Sequence, residues 1–327
     1  MTRPPLPLIA VVLAIAVALG VAAIVNANKT SDQLAGRGTV GAGPSQGLPP
    51  AQSVDLAYGA FQRGYYLTAF AQAIPRAEKG DRAAQTLLGL LYASGLGIAQ
   101  DYKAAAGWYA LAATAGDREA QFALGTLYRE GNGVARDPGK AADSFEKAAE
   151  AGQGEAALAL AQLYLAGEGR ATDEEKAASL MSRAISLGNV DAMAALAELY
   201  DTGRGVPLDR SVATRWFKTA ADKGLVSAQV EFAIRLANGI GIAKDEKRAA
   251  QWFRTASESG SVQAQTRLAR LYAVGLGLDA DPVEAAKWYL LARSNGGTDP
   301  WLDDFVNRMP EEKRIAARDA AQRWPMP

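Results

Sequence analysis

One tetrapeptide has the spacing of a catalytic nucleophile. Ser144-Phe145-Glu146-Lys147 matches the Ser-x-x-Lys pattern of penicillin-interacting enzymes, in which serine attacks a carbonyl carbon. The motifs that complete such a site, Ser-Asp-Asn and Lys-Thr-Gly, do not occur in the chain. Six aspartates, Asp101, Asp137, Asp173, Asp209, Asp245 and Asp281, are candidates for cation ligation. Each stands alone in its turn, however, whereas a calcium site needs several oxygens converging. Six pairs of glycines one residue apart, from Gly95/Gly97 to Gly275/Gly277, resemble a phosphate cradle, but they lack a following Lys-Ser or Lys-Thr and come after a helix pattern. Trp108, Trp216, Trp252 and Trp288 offer faces for ligand stacking, yet they occupy one recurring slot, as packing residues do.

Composition removes most other chemistry. The 327 residues contain 35 Lys+Arg, 35 Asp+Glu, no histidine and no cysteine. Without histidine the commonest general base and metal ligand is missing. Without cysteine there is no thiolate nucleophile, disulfide or Cys-based zinc site. Balanced charge gives no electrostatic footprint for nucleic acid. No catalytic residue, metal site or cofactor is assigned.

The same aspartates, glycines and tryptophans define a repeat. Six units of 36 residues run without a gap over 83–298, starting at Ala83, Glu119, Glu155, Asp191, Ser227 and Gln263. The second position is always alanine, and a glycine always closes the hairpin near the unit's end, from Gly116 to Gly296. This regularity marks an array of stacked supersecondary units. Each unit reads as a helix hairpin. In the first, Ala84, Leu88, Leu91 and Tyr92 fall on one apolar stripe of helix A. Gly95 then supplies a left-handed stop, Gly97 lets the chain turn back, and Asp101 caps helix B. Pro138 and Pro282 sit at the first position of helix B, where proline is least costly, and Asp281 with Glu284 has the capping-box pattern. A hairpin cannot bury its stripe alone, so the units must stack.

The flanks differ from the array. Residues 51–82 read as a degenerate leading repeat, with an apolar helix followed by Pro75 and Gly80. Residues 299–327 read as two short capping helices, the last opened by Glu311 and Glu312 and closed by Arg323. Residues 1–27 contain an uninterrupted apolar run that opens at Leu8 and closes at Val25. Its helical length, about 27 Å, suits an uncleaved membrane anchor better than the shorter apolar core of a cleavable signal peptide. Cleavage after Val25-Asn26-Ala27 is the alternative. Residues 28–50 hold five glycines and three prolines, a flexible linker with a reach of about 25 Å.

The unit resembles the Sel1-like repeat, a relative of the tetratricopeptide repeat. The resembling residues are Ala120, Leu124, Gly125 and Tyr128 of helix A, Gly131-x-Gly133-Val134, the aspartate, and Trp108, Tyr109, Ala112 and Ala113 of helix B. Ser144 in place of tryptophan, Leu180-Met181 in place of the aromatic pair and Leu236 in place of tyrosine depart from it, and imply looser hairpins there. The resemblance implies an all-α fold, a right-handed α-solenoid of helix hairpins, and a non-enzymatic adaptor that binds a protein partner. With its N-terminal export segment the chain is similar to periplasmic regulators of that family in bacteria, so the repeats are expected outside the inner membrane.

A partner surface must lie where repeats differ. In helix A, unit positions 4, 8 and 11 vary, whereas position 2 is alanine in every unit. They present Phe122, Arg129, Leu158, Gln162, Glu198, Asp201 and Arg270 along the face expected to be concave. The acidic middle predicts a bound segment with apolar anchors and a basic residue. Two other functions stay open: a β-lactam or peptidoglycan hydrolase built on Ser144 and Lys147, and a self-assembling structural envelope protein.

Overall fold

The computed structural model describes residues 55–324, which form sixteen α-helices and no strand. The apolar run 8–25 and the linker 28–50 lie outside the described residues. Among the described residues no helix is long and apolar enough to cross a membrane. The chain makes two compact units, one ending at Trp108 and one beginning at Tyr109.

The first unit contains α1 (Leu56–Gln62), α2 (Tyr66–Ala77), α3 (Arg82–Ser94) and the start of α4 (Tyr102–Thr114). Small residues dominate its core: Ala57, Ala60, Ala69, Ala73, Ala77 and Ala84 pack with Leu88 and Leu91. Pro75 does not end α2 but lies within its last turn. Arg76, one residue on, donates to Asp55 at 2.6 Å and to Asp81 at 2.6 and 2.9 Å. Those two carboxylates are the N-caps of α1 and α3, so one guanidinium ties two helix starts together. Burial raises the Asp81 carboxyl, but the Ala84 N–H and Arg76 outweigh it and hold the group below its ordinary value.

The second unit is a run of hairpins. Its helices are α5 (Arg118–Glu130), α6 (Pro138–Glu150), α7 (Gly154–Ala166), α8 (Glu174–Ser186), α9 (Asp191–Thr202), α10 (Arg210–Asp222), α11 (Val226–Asn238), α12 (Glu246–Glu258), α13 (Val262–Val274), α14 (Pro282–Ser294), α15 (Pro300–Arg308) and α16 (Glu311–Gln322). Each odd helix from α5 to α13 packs on the next, and each even helix from α6 to α12 packs on the helix that opens the following repeat. The invariant alanines are what permits this closeness: Ala120, Ala156, Ala192 and Ala264 are fully buried.

Each aspartate of the loops makes two backbone connections. Asp209 accepts from the N–H groups of Ser211 and Val212, capping α10, and its own N–H donates to the Tyr200 carbonyl at 2.9 Å. The same pair of connections recurs at Asp137, Asp173, Asp245 and Asp281. The second connection uses a carbonyl, so it survives where Leu236 replaces tyrosine. Glu284, in contrast, does not complete a capping box. Its carboxylate accepts from Lys287 and from the Trp288 indole N–H instead.

The glycine pair divides its labour. Gly203 is left-handed, φ 70°, and its N–H closes α9 on the Leu199 carbonyl. Gly205, φ 64°, brings the loop against the backbone at the start of α8 in the preceding repeat, where a Cβ would overlap the Glu174 carbonyl. The equivalent overlap exists at Gly169, Gly241 and Gly277. The second glycine is thus a docking point between repeats as well as a turn residue.

The aromatic slots are reversed from the expectation that tryptophan faces the core. The second residue of each pair is buried throughout, with Tyr109, Phe145, Met181, Phe217, Phe253 and Tyr289 all at most 5% exposed, whereas the first is buried only in repeats three and six, as Leu180 and Trp288. Trp216 and Trp252 are half-buried, and only Trp288 is sealed, under the Trp324 ring at 4.9 Å. Met181 is as buried as the aromatics it replaces, and Leu236 is more buried than the half-buried tyrosines of the other repeats.

Candidate partner-binding face

The variable stripe of helix A is part surface and part core. Gln162 and Glu198 are exposed, whereas Thr126 and Val230 are buried. Phe122, Arg129 and Leu158 are half-buried. The Phe122 ring and the Arg129 guanidinium both pack on Phe145, at 5.6 and 5.7 Å from its ring centre. Phe122 and Arg129 are therefore brought together, two helical turns apart on α5, over one buried aromatic.

Two of the charges are taken up inside the chain. Asp201 is ion-paired with Arg235, which also donates to Glu231 at 3.0 Å and Thr214 at 3.1 Å. Arg235 is 3% exposed, and its guanidinium carbon lies 4.4 Å from the Phe217 ring centre. Its partners in repeat four stand 21 and 34 positions back, so this is a latch between hairpins. Glu198 has no such partner among the described residues. Partial desolvation of its carboxyl against the neighbouring hairpin, then the nearby Glu231 and Asp201 carboxylates, raise it above the ordinary value although the residue as a whole is exposed.

Arg270 grips Asp299 through two hydrogen bonds of 2.7 and 2.9 Å. Asp299 also caps α15 by accepting from Trp301 and Leu302, and its backbone is clasped by the Tyr289 hydroxyl. The hydrogen bonds from Arg270, against the opposing effect of burial, hold the Asp299 carboxyl below its ordinary value. A carboxyl with a lowered folded pKa stabilises above its unfolded pKa, about 3.9, and releases that stability as pH falls through the lower folded value. Asp299→Ala is expected to cost about 2 kcal/mol at pH 7, the sum of a lost cap and a lost ion pair. The difference from wild type should shrink below about pH 4. Hydrogen exchange of the α15 amides across pH 3–7 checks it; a pH-independent difference would count against the carboxylate.

The other chemical candidates are accounted for. The Ser144 hydroxyl donates to the Lys140 carbonyl at 2.8 Å, and Lys147 is an exposed side chain of the same helix. Each loop aspartate accepts from the backbone of its own helix B.

Two sets of contacts lie outside the variable stripe. Gln85, Gln121, Gln229 and Gln265 each donate to a carbonyl eight residues back, closing the end of one hairpin on the next. Repeat three has Ala157 there, and the equivalent carbonyl, of Ala149, receives Arg183 instead at 2.9 Å. The second set is that of Arg235, which carries a signal in the sequence: the other five repeats place Leu91, Leu127, Leu163, Leu199 and Leu271 at its position. A charge in a slot otherwise apolar needs a buried partner.

Stacked helix hairpins closed by glycine and joined by carbonyl-to-aspartate loops define a helical repeat protein. The family model of the Sel1 repeat matches six times, at 82–117, 118–153, 154–189, 190–225, 226–261 and 262–297. The chain belongs to the Sel1 repeat family. Among curated proteins no sequence matches it significantly. It is similar to the crystal structure of a protective antigen of uropathogenic Escherichia coli with an SLR fold, at 28% identity and TM-score 0.68 over 81% of this chain. The match spans 61% of the antigen's length. It is also similar to a Sel1 repeat protein from Oxalobacter formigenes, at 29% identity and TM-score 0.65, covering 74% of this chain and 97% of that one. Sel1 repeat proteins generally mediate protein–protein interaction.

Proposed function

We propose that the chain is a non-enzymatic adaptor that holds a protein partner on the helix-A stripe of its repeats, with the apolar run 8–25 tethering it to a membrane in a bacterial envelope. The observation that carries the reading is the pattern of variation. The second-position alanine, the loop aspartate and the paired glycines keep their residue in every repeat, while exposed stripe positions such as Gln162, Glu198 and Arg270 do not. The tether raises the local concentration of the partner, and the linker 28–50 gives reach. Phe122, Arg129 and Leu158 supply the apolar part of the surface and Gln162 and Glu198 its polar part. Asp201 contributes through its fixed place beside Arg235 rather than as a free carboxylate.

A photo-crosslinking residue at Gln162 or Glu198 of the full chain in cells is expected to give one discrete adduct in the membrane fraction. The same probe at Lys147, off the stripe on helix B, should give none. With the probe at Gln162, Glu198→Lys should reduce the adduct at least fivefold. Equal labelling from stripe and off-stripe positions, or an adduct indifferent to Glu198→Lys, would overturn the assignment. Asp201→Lys is unsuitable for this test, because a lysine there would face the buried Arg235.

A further inference from the structure

The second unit carries an open groove of about 470 Å³ between α11, α13 and the first turn of α15. That volume is in the range of small-ligand and peptide side-chain sites, roughly 300–1,000 Å³. Apolar side chains left uncovered line it: Val274 is 59% exposed, Leu276 41% and Trp301 45%, with Ile234 alongside. Trp301 is held in place rather than loose. Its ring stacks on Phe305 at 5.7 Å and lies 5.6 Å from the Arg270 guanidinium, which Asp299 fixes in turn.

The charges of the groove are unequal. Lys244 is neutralised by Glu246 at 2.6 Å, and Arg270 by Asp299. Arg267 is exposed and has no carboxylate within ion-pairing distance among the described residues. One uncompensated cation thus stands beside an apolar surface. Arg267 and Val274 lie two turns apart along α13, about 10 Å, or about three residues of an extended peptide.

From these features we infer that the groove binds a protein segment in which a carboxylate and a bulky apolar side chain are separated by two to four residues. The inference rests on the reading of the chain as a protein-binding module, and it assigns this end of the array a partner chemistry opposite in sign to that of the Glu198 region. Ile234 and Arg270 occupy stripe positions of repeats five and six, so the groove continues the variable helix-A face. The apolar anchor enters between Trp301 and Val274, and the carboxylate meets Arg267.

The test is selection of displayed random decapeptides on the full chain, followed by titration of the selected peptides. Enriched peptides are expected to carry Asp or Glu two to four residues from Leu, Phe or Trp. Arg267→Glu should weaken them at least tenfold, and Trp301→Ala as much, with Glu198→Lys without effect. Replacing the peptide carboxylate by lysine should abolish binding to wild type and restore it to Arg267→Glu. Both side chains are exposed, so neither change removes core packing. Enrichment without acidic residues, or titrations unchanged by Arg267→Glu, overturns the inference. Enriched peptides that depend on Glu198 and not on Arg267 also overturn it and leave the adaptor reading standing. No enrichment at all overturns the inference, and the crosslinking at Gln162 and Glu198 then decides the adaptor reading separately.

Discussion

Arg235→Ala should destabilise the second unit by about 3 kcal/mol at neutral pH, the lower end of the cost of breaking a buried ion pair. The guanidinium is 3% exposed and binds Asp201, Glu231 and Thr214 together. Without it, Asp201 and Glu231 would stand beside Glu198 with no cation. Those carboxylates are partly open to water, 22% and 35% exposed, which keeps the expected loss from being larger. Because a repeat array does not unfold in one step, hydrogen exchange in α9–α12 reports the loss better than a single melting temperature.

The effect should also depend on pH. A carboxyl whose folded pKa is raised, as that of Glu198 is, binds its proton more readily in the folded state. Stability is therefore regained as pH falls through that raised value. Removing the guanidinium leaves the neighbouring carboxylates uncompensated in the variant alone, and protonation relieves their repulsion, so the gap between Arg235→Ala and wild type should narrow as pH falls from 7 into the ordinary carboxyl range, about 4. Arg235→Leu combined with Asp201→Ala restores residues found at these positions in other repeats, and is expected to recover most of the loss. A double variant as unstable as Arg235→Ala would refute the latch.

Gly205→Ala should cost about 4 kcal/mol, since positive φ and a backbone collision act together. The added methyl would meet the Glu174 carbonyl, and a backbone atom cannot rotate away. Gly224 separates the two causes. It has φ 88° but nothing within 4 Å of an added Cβ. Gly224→Ala should cost only about 1 kcal/mol, the conformational part alone. Chemical denaturation of both variants checks the difference. Equal losses would mean that the second glycine of the pair serves the turn and not the docking of repeats.

What can be read from the sequence follows from the reach of each interaction. Helix ends depend on neighbours a few residues away, so the aspartate caps and the glycine stops are legible. The 36-residue period exposes the hairpin because each slot repeats its environment. The orientation of the aromatic pair is not legible, because two adjacent residues on a helix point about 100° apart and nothing local says which faces the core. Arg235 stands out as the one charge in a slot that is leucine in the other five repeats, but its partners do not. Its pairing with Asp201 spans 34 positions and becomes visible only with the helices in place. For the groove at Trp301, the sequence shows the tryptophan and Arg267 but not that Lys244 and Arg270 are already neutralised.

The links between neighbouring hairpins are all short in chain terms. Arg204 meets Glu174 across 30 positions, Arg136 meets Glu168 across 32, and Arg235 meets Asp201 across 34. Among the described residues no such link bridges more than one period. Pulled from its two ends, the second unit would bear the load as links in series rather than as a single bonded mass. It would pay out chain in steps, each hairpin releasing 36 residues, or about 120 Å of extended contour. The joint closed by the sequestered arginine would hold longer than those closed by a glutamine alone, so the array has a built-in order of yielding.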